Sequence, residues 1–329
     1  LGNTLFGSLS GSSVAASVAI GGVLIPMEEK EGYDKKFAAA VNIASAPTGL
    51  IIPPSGILII YPVLAGCSVV GMIMSGYIPG LMWALACMVV AYVIAKKNHY
   101  PTAGKVPASV FFKYFVDAIP SLLLIVIIVG GVMSGIFTAT ESAAVAVAYT
   151  LFLSIVVYRS IKIKDLPKIL LDACETTAII MFLIAGSNVM SFVMSFTGLP
   201  SAIGNALISV SSNKYVILLI INLVLLVVGC FMDITPAVLI FTPIFLPVVQ
   251  SFGMDPIHFG IMMVMNLGIG NITPPVGSSL FSGCSVADMD MEDMIKPILP
   301  FYAAIFVALM LVAYVPWFSM ALPTLFGAV

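Results

Sequence analysis

Two pairs of adjacent prolines interrupt long apolar segments, in GLIIPPSG, which begins at Gly49, and in GNITPPVG, which begins at Gly270. Proline has no N–H and its ring clashes with the carbonyl four residues earlier, so each pair should open a helix. The carbonyls released are those of Gly49 and Leu50 in one segment and of Gly270 and Asn271 in the other. Because hard cations take oxygen ligands, these carbonyls predict two cation sites at membrane depth. Two proline kinks used only for packing are the alternative interpretation.

Two polar turns could complete these sites. The turn GSLSGSS supplies Ser8, Ser10, Ser12 and Ser13 beside small residues, and the turn GCFMD places Asp233 between two apolar arms. An ionisable residue inside a membrane is costly and is a functional candidate for that reason. Asp233 could instead be an interfacial acid that caps the arm following it. Asn188, in AGSNVMSF, could face the same cavity or bond a neighbouring helix.

We expect no cofactor and no transition-metal site. The five cysteines are scattered without CxxC spacing, and His99 and His258 have no Cys or His at ligand spacing. Glu141, in FTATESAA, is either functional or part of an ordinary helix start with Thr138 or Thr140.

The composition predicts an all-α polytopic membrane protein. Of 329 residues, 61% are hydrophobic and 9% charged, and the mean hydropathy is +1.17, whereas about 25% of residues in a soluble domain are charged. The net charge of −2 gives no support to a nucleic-acid partner. Spanning segments need about 20 apolar residues. We predict them at 37–63, 69–95, 111–134, 137–158, 168–196, 257–284 and 298–316, with shorter arms, marginal as spans, at 214–230 and 236–250.

The basic residues predict the orientation of these segments. Two Lys- and Arg-containing loops, around Lys96 and around Arg159, are separated by two predicted spans and so lie on one side, which the positive-inside rule makes cytoplasmic. The loop EEKEGYDKK is predicted to lie on the same, cytoplasmic side. The loop QSFGMDP has no basic residue, as expected of the opposite face.

The two proline pairs belong to an internal repeat with a spacing of 221 residues. Other residues match at this spacing: Pro26 and Pro247, Gly32 and Gly253, Asp34 and Asp255, Gly56 and Gly277, Pro79 and Pro300, Ser8 and Gly229, Ser12 and Asp233. The motif GCSV, at 66–69 and 283–286, departs from the spacing and suggests an insertion balanced by a deletion. Five predicted spans separate the two copies, so the second should be inverted. Inverted repeats with broken helices are typical of secondary transporters, which bind their substrates near the midplane.

The same residues carry a family resemblance over nearly the whole chain. The run GSSVAASVAIGGVLIPMEEKEGYDKKFAAAVNIASAPTGLIIPPS, together with TATESAAVAVAYTL, GCFMDITPAVLIFTPIFLPV and DPIHFGIMMVMNLGIGNITPPVG, resembles the large membrane subunit of tripartite ATP-independent periplasmic (TRAP) transporters. The stretch IPMEEKEGYDKKF, followed by SAPTGLIIPPSG, is most similar to the sequences of the sialic acid branch of that family. The chain lacks an initiator Met, and relative to that family we expect about the first quarter to lie upstream of it.

The resemblance implies a sodium-driven elevator-type transporter of the bacterial inner membrane, with two re-entrant helical hairpins and two broken helices. Its partners would be a small four-helix membrane subunit and a soluble periplasmic binding protein that delivers an organic acid. One sodium site would use Ser8 or Ser10 with carbonyls of Gly49, Ile52 and Pro54; the other would use Gly229 with Gly270 and Thr273. The substrate would lie near Ser10, Ser12, Ser55 and Asp233, and we add Asn188 as a candidate.

This interpretation divides the chain into four parts. We expect 1–63 to form a first, truncated hairpin and a broken helix of a transport domain, and 64–213 to be mainly scaffold spans with part of that domain. Residues 214–285 would form the second hairpin and broken helix, and 286–329 a C-terminal scaffold span. The rival functions are an ion channel, which would not move substrate and sodium in a fixed ratio, and an intramembrane enzyme, for which no motif is present. We therefore do not expect an enzyme.

Overall fold

The computed structural model describes residues 1–101, 107–199, 202, 203, 206, 209 and 213–328. All regular secondary structure within those residues is helical, which confirms the all-α prediction for the described part of the chain.

The helices before residue 101 are mostly short. They are Gly2–Ser10, Ser13–Lys30, Lys35–Ser45, Thr48–Ile51, Ile57–Ala65, Val69–Ser75 and Tyr77–Lys97. The middle of the chain forms Ala108–Ile125, Gly131–Met133, Ala139–Phe152 and Leu166–Thr197, with π-helical turns at Val126–Gly130 and Leu153–Val157 and a 3-10 turn at Ile163–Asp165. The last helices are Lys214–Phe231, Ile234–Ser251, Pro256–Gly270, Ser278–Val286, Met291–Tyr314 and Trp317–Leu325.

Seven described helices are long and apolar enough to cross a membrane, so the chain is a multi-pass integral membrane protein. Both arms of the second hairpin, Lys214–Phe231 and Ile234–Ser251, have 18 residues and belong to this set. These arms were predicted to be marginal as spans. The helices are long enough to cross a membrane, because each extends beyond the predicted apolar run. Segments 37–63 and 257–284 are both broken into shorter helices, as the proline pairs predict.

Side-chain caps fix several helix starts. Asp34 accepts a hydrogen bond from the N–H of Lys36 at 2.9 Å, and Asp255 accepts one from the N–H of Ile257 at 2.8 Å. Glu141 forms a capping box with Thr138, which favours the helix-start interpretation of this acid over a functional one.

The 221-residue spacing recurs in the helix bounds. Ser13–Lys30 corresponds to Ile234–Ser251, and Ile57–Ala65 corresponds to Ser278–Val286, with both ends matching in each case. Gly32 and Gly253 both have positive φ, 92° and 76°, and both Pro–Pro bonds are cis.

The proposed insertion and deletion around the two GCSV motifs is wrong. The helix bounds match at a spacing of 221 residues, so the two motifs occupy positions that are not equivalent in the repeat. Gly66 ends its helix in the left-handed conformation, with φ 64°, whereas Gly283 lies inside a helix. A Cβ atom on Gly283 would clash with Ile43.

The contacts divide the chain into two compact units, residues Leu1–Pro101 with Ser187–Val329, and Thr102–Gly186. In the second unit the Tyr149 hydroxyl donates to the Pro120 carbonyl at 2.8 Å, and Ser142 donates to the Ile128 carbonyl at 2.9 Å. The division into transport and scaffold domains stays a prediction.

The helix Pro256–Gly270 lies in the core of the first unit, and all its residues after Pro256 are buried. Two donors from later helices satisfy carbonyls in the interrupted helices. The Trp83 indole donates to the Ala44 carbonyl at 2.9 Å, and the Tyr302 hydroxyl donates to the Ile272 carbonyl. Backbone groups at membrane depth need such partners.

Each helical hairpin, residues 2–30 or residues 214–251, contacts the neighbouring broken helix through a pair of glycines. A Cβ atom on Gly7 would lie 2.5 Å from the Cα of Gly49, and a Cβ atom on Gly229 would lie 3.1 Å from the Cα of Gly270. A Cβ atom on Gly270 would come closer still to the carbonyl carbon of Gly229. Only glycine permits this approach between two backbones.

We therefore expect Gly7→Ala and Gly270→Ala each to destabilise the protein, because the added methyl meets backbone that no side-chain rotation can move. The cost of such overpacking is about 1–3 kcal/mol. Gly186→Ala is the matched control: it lies in the helix Leu166–Thr197 and its Cβ would meet nothing within 4 Å. Thermal unfolding of the purified variants in detergent measures the effect, and equal melting temperatures for all three would contradict the packing argument.

Candidate ion and substrate site

The tip of each hairpin lies against the break in the neighbouring helix. We call residues 52–56 the first break and residues 271–277 the second break. At the first, Gly11 packs so closely that a Cβ atom there would lie 3.1 Å from the Pro54 carbonyl oxygen and 3.4 Å from the Ser55 Cα. At the second, the N–H of Val276 donates to the Cys230 carbonyl at 3.2 Å. The structure therefore brings together each polar turn and proline pair that the sequence singles out.

The carbonyls at the second break have partners, which corrects the expectation that proline leaves them free. The Gly270 carbonyl accepts from the N–H of Thr273 at 2.9 Å. The Asn271 carbonyl accepts from the N–H groups of Ser279 at 3.1 Å and Leu280 at 3.4 Å. The cause is the sharp turn of the break, which directs N–H groups of the following helix back at these oxygens. Each carbonyl oxygen has two lone pairs, so the Gly270 oxygen retains acceptor capacity.

The first break differs. Pro53 and Pro54 have no N–H to donate, and among the described residues we find no hydrogen bond to the carbonyl of Gly49 or Leu50. The Ser55 hydroxyl is also without a partner there, although the residue is only 2% exposed. A buried hydroxyl without a partner is costly and calls for a water, an ion or a ligand.

The serines of the first tip take different positions. Ser8 is buried and donates to the Leu5 carbonyl at 2.8 Å. Ser10 is exposed at the end of its helix, 3.4 Å from the N–H of Ser12. Ser12 caps the next helix by accepting from the N–H of Ala15 at 3.2 Å.

The glycine contacts show that Gly7 rather than Ser8 corresponds to Gly229. Gly7 and Gly229 therefore depart by one residue from the 221-residue spacing.

The remaining predicted ligands lie in or next to the breaks. Ile52 donates its N–H to the Thr48 carbonyl at 2.9 Å, and its side chain packs on Gly80. The Thr273 hydroxyl donates to the Ile269 carbonyl at 2.6 Å, which leaves its oxygen lone pairs available.

Asp233 lies at the tip of the second hairpin and is exposed. It stands at the helix start, but its side chain makes no capping hydrogen bond there. The carboxylate instead accepts from the Ser278 hydroxyl at 3.2 Å, across to the helix that follows the second break. The interfacial-cap alternative is thus not the arrangement that the structure shows.

Ser278 is the first member of a polar cluster that the sequence reasoning missed. Its hydroxyl also donates to the Asn271 side-chain oxygen. The Asn271 amide nitrogen then donates to Ser13 at 2.7 Å and to Ser279 at 3.0 Å. The run GNITPPVGSS contains three of these residues, but the sequence carries no signal that Ser13 lies beside them.

Asn188 is not part of this cluster. It lies exposed on the helix Leu166–Thr197, and among the described residues we find no hydrogen bond to it. Its neighbour Ser187 is the buried residue and donates to the Leu239 carbonyl.

The combined arrangement is rich in neutral oxygens and has one carboxylate. In the described part of the chain no group of three or more His, Cys, Asp or Glu side chains could hold a metal ion. Carbonyl and hydroxyl oxygens without thiolates or imidazoles favour a hard cation over a soft transition metal. Serine hydroxyls can both donate to and accept from a hydroxylated ligand.

Comparison with known proteins identifies the family. The model of the "Tripartite ATP-independent periplasmic transporter, DctM component" matches residues 1–318. The chain is 51% identical over 328 residues to an uncharacterized protein, YgiK, of Salmonella typhimurium, covering 99% of this chain and 75% of that protein.

Two further relatives are transporter permeases. The C4-dicarboxylate TRAP transporter large permease DctM of Pseudomonas aeruginosa is 38% identical over 323 residues, covering 98% of this chain and 76% of the relative. The sialic acid TRAP transporter large permease SiaM of Vibrio cholerae is 37% identical over 326 residues, covering 99% and 76%. The match of the family model over residues 1–318 and these identities show that the chain belongs to the DctM component family of tripartite ATP-independent periplasmic transporters, the large membrane permeases that carry organic acids and are not enzymes.

Proposed function

We propose that this permease takes up an organic acid anion, sialic acid, across a bacterial inner membrane in symport with sodium. A periplasmic binding protein delivers the substrate, and a small four-helix membrane subunit braces the permease. The observation that carries the proposal is the first break, where two backbone carbonyls and the buried Ser55 hydroxyl have no hydrogen-bond partner among the described residues.

The first sodium ion binds to oxygens at the first break and its hairpin. The carbonyls of Gly49, Ile52 and Pro54 supply backbone ligands, and Ser8 or Ser10 supplies a hydroxyl oxygen. The Ser8 hydrogen is already donated to Leu5, so the lone pairs of its oxygen remain available to a cation.

The second sodium ion binds at the second break through carbonyls of Gly229 and Gly270 and the hydroxyl of Thr273. The Thr273 hydroxyl hydrogen is likewise directed away, to Ile269. The glycine contact supports this assignment because it brings backbone oxygens from two chain segments within reach of one ion.

The substrate binds between the two tips. Ser10, Ser12 and Ser55 offer hydroxyls, and Asp233 accepts from a hydroxyl or amide group of the substrate. The only arginine of the sequence, Arg159, lies outside every predicted span, so we assign the substrate carboxylate to bound sodium, hydroxyls and helix N-termini. A serine-rich site with one acid suits a polyhydroxylated acid. The identities to the DctM and SiaM relatives, 38% and 37%, are nearly equal and so favour neither substrate.

In this scheme, sodium binding is coupled to substrate binding through the ordering of the hairpin tips. Sodium binding at both breaks fixes the hairpin tips, and the substrate binds well only when the tips are fixed. The loaded hairpins and broken helices then move together against the scaffold spans in an elevator step. In this scheme the carbonyls opened by the proline pairs create the sodium dependence.

We expect uptake of labelled sialic acid into proteoliposomes to require both an inward sodium gradient and the binding protein. The liposomes hold the complete membrane complex, because the small subunit is part of the proposal. Sodium-dependent uptake of a C4-dicarboxylate or a keto acid, but not of sialic acid, would retain the mechanism and replace the substrate. Flux of sodium without a fixed ratio to substrate would favour a channel, and no uptake of any organic acid would contradict the proposal.

Replacing Asp233 by Asn should lower substrate uptake about 10- to 100-fold, because a hydrogen bond to a charged group contributes roughly 1.5–3 kcal/mol. Asp117→Asn is the control, since Asp117 is also an exposed acid on a helix but lies in the other compact unit. Initial rates at saturating sodium measure the difference. A D233N rate equal to that of D117N would remove Asp233 from the site.

Replacing Thr273 by Val should raise the sodium concentration for half-maximal uptake several-fold, because Val keeps the shape but removes one oxygen ligand. Thr273→Ser retains the hydroxyl and should stay near wild type. Thr242→Val is the matched control, because Thr242 is buried and its hydroxyl faces only the Met263 sulfur. If T273V and T242V share the wild-type sodium dependence, Thr273 is not a ligand.

A further inference from the structure

The two hairpin tips are joined by a continuous chain of hydrogen-bonded side chains. It begins at Ser13, the first helical residue after the tip of the first hairpin, and ends at Asp233, at the tip of the second. Asn271 and Ser278, from the second break and the helix after it, are the links between them. Ser13 and Asn271 are 258 positions apart in the sequence, so this is a contact between the two copies of the repeat.

Asn271 has two roles that can be separated. Its backbone carbonyl and side-chain oxygen accept from N–H groups of Ser279 and Leu280, at the start of the helix Ser278–Val286. Gly277 precedes that helix and has no side chain to cap it, so Asn271 takes over capping. The Asn271 amide nitrogen is not needed for this, and it is the atom that reaches Ser13.

The junction is closed to water. Asn271 and Ser13 are each 2% exposed, and Ser279 is fully buried. The Ser279 hydroxyl also donates to the Ser13 oxygen at 2.7 Å, so the two copies are joined twice at one point. Hydrogen bonds in such surroundings are stronger than in water, and the loss of one partner leaves a costly buried group.

The hydrogen-bonded network has two alternative states, which differ in the acceptor of the Ser278 hydroxyl. A hydroxyl has one hydrogen, and the Ser278 hydroxyl faces two acceptors, the Asn271 oxygen and the Asp233 carboxylate. When a ligand hydroxyl or amide takes the place of Ser278 at Asp233 Oδ1, the Ser278 hydrogen is released to Asn271. Occupancy at the second tip thereby strengthens the hold on Asn271, and Asn271 in turn holds Ser13.

The second-copy members of this network, Asn271, Ser278 and Ser279, have no polar equivalents in the first copy. At a spacing of 221 residues, the counterparts of Asn271, Ser278 and Ser279 are the apolar residues Leu50, Ile57 and Leu58. Elements that bind ions should recur in both copies, whereas an element that connects the copies needs to exist once.

We propose that Asn271 and Ser13 are positioning residues that couple the two sodium sites to each other and to the substrate. This inference rests on the proposed sodium symport. Sodium at the second break orders Asn271, and Asn271 holds the first tip in its ion-binding position through Ser13. The two ions therefore bind cooperatively, with each raising the affinity for the other.

The test is the sodium dependence of substrate uptake by the whole membrane complex in proteoliposomes, with the binding protein present. We expect a Hill coefficient near two for the wild type, and near one for Ser13→Ala and Asn271→Ala. Ser13→Thr keeps the oxygen and should restore cooperativity. Ser17→Ala is the matched control: Ser17 lies one turn further along the same helix and is fully buried, and its hydroxyl has no hydrogen-bond partner among the described residues.

The outcomes are distinguishable. Wild-type uptake without sodium dependence would overturn the proposed symport itself. Sodium-dependent uptake that keeps the wild-type Hill coefficient in S13A would overturn only the coupling role. An equal loss in S13A and S17A would mean that the helix is merely sensitive to serine removal, which also contradicts the inference. If S13A does not assemble, S13T against Ser13→Val decides in the same way, because the two side chains have the same shape and only one has the oxygen.

Discussion

A backbone carbonyl without a partner costs several kcal/mol in hydrocarbon, and the two proline pairs create such carbonyls where the chain is most apolar. The structure meets this constraint in two ways. Side-chain donors from other helices satisfy some carbonyls: the Trp83 indole donates to Ala44, in the helix Lys35–Ser45, and the Tyr302 hydroxyl donates to Ile272, in the second break. At the second break the chain folds back and supplies its own N–H groups, whereas at the first it does not. The oxygens still free to accept are the ones available to an ion.

The glycine pairs follow from the same constraint. A tip can share an ion with a break only if the two backbones come within a few ångströms, and a Cβ atom on Gly7 or Gly270 would prevent that. The approach also brings the tips close enough for side chains to bridge the copies. Ser13 reaches Asn271 because the first tip is already held at its own junction. The hydrogen bond between Ser13 and Asn271 therefore depends on the packing of the glycine pairs.

Local covalent constraints could be read from the sequence, and tertiary contacts could not. The helix breaks at the proline pairs and the 221-residue spacing were predicted, because proline acts on its own backbone within a few residues. Asp34 and Asp255 were matched only as members of the repeat, and their capping role was not predicted. The register of Gly7 was missed by one residue, since helix rotation is determined by packing. Asn271 was singled out only for its carbonyl. Its side-chain bond to Ser13 spans 258 positions and leaves no local signal.

Two buried asparagine pairs suggest what fixes that rotation. Asn3 donates to Asn42 at 2.9 Å in the first copy, and Asn266 donates to Asn222 in the second. The pairs do not obey the 221-residue spacing, yet each joins a hairpin arm to the helix that precedes the break. Each lies one to two turns before its glycine contact. A buried amide that lost its partner would be costly, so each pair allows one rotation of the arm, the one that places glycine against glycine. What the two copies repeat is therefore a geometry rather than a set of residues.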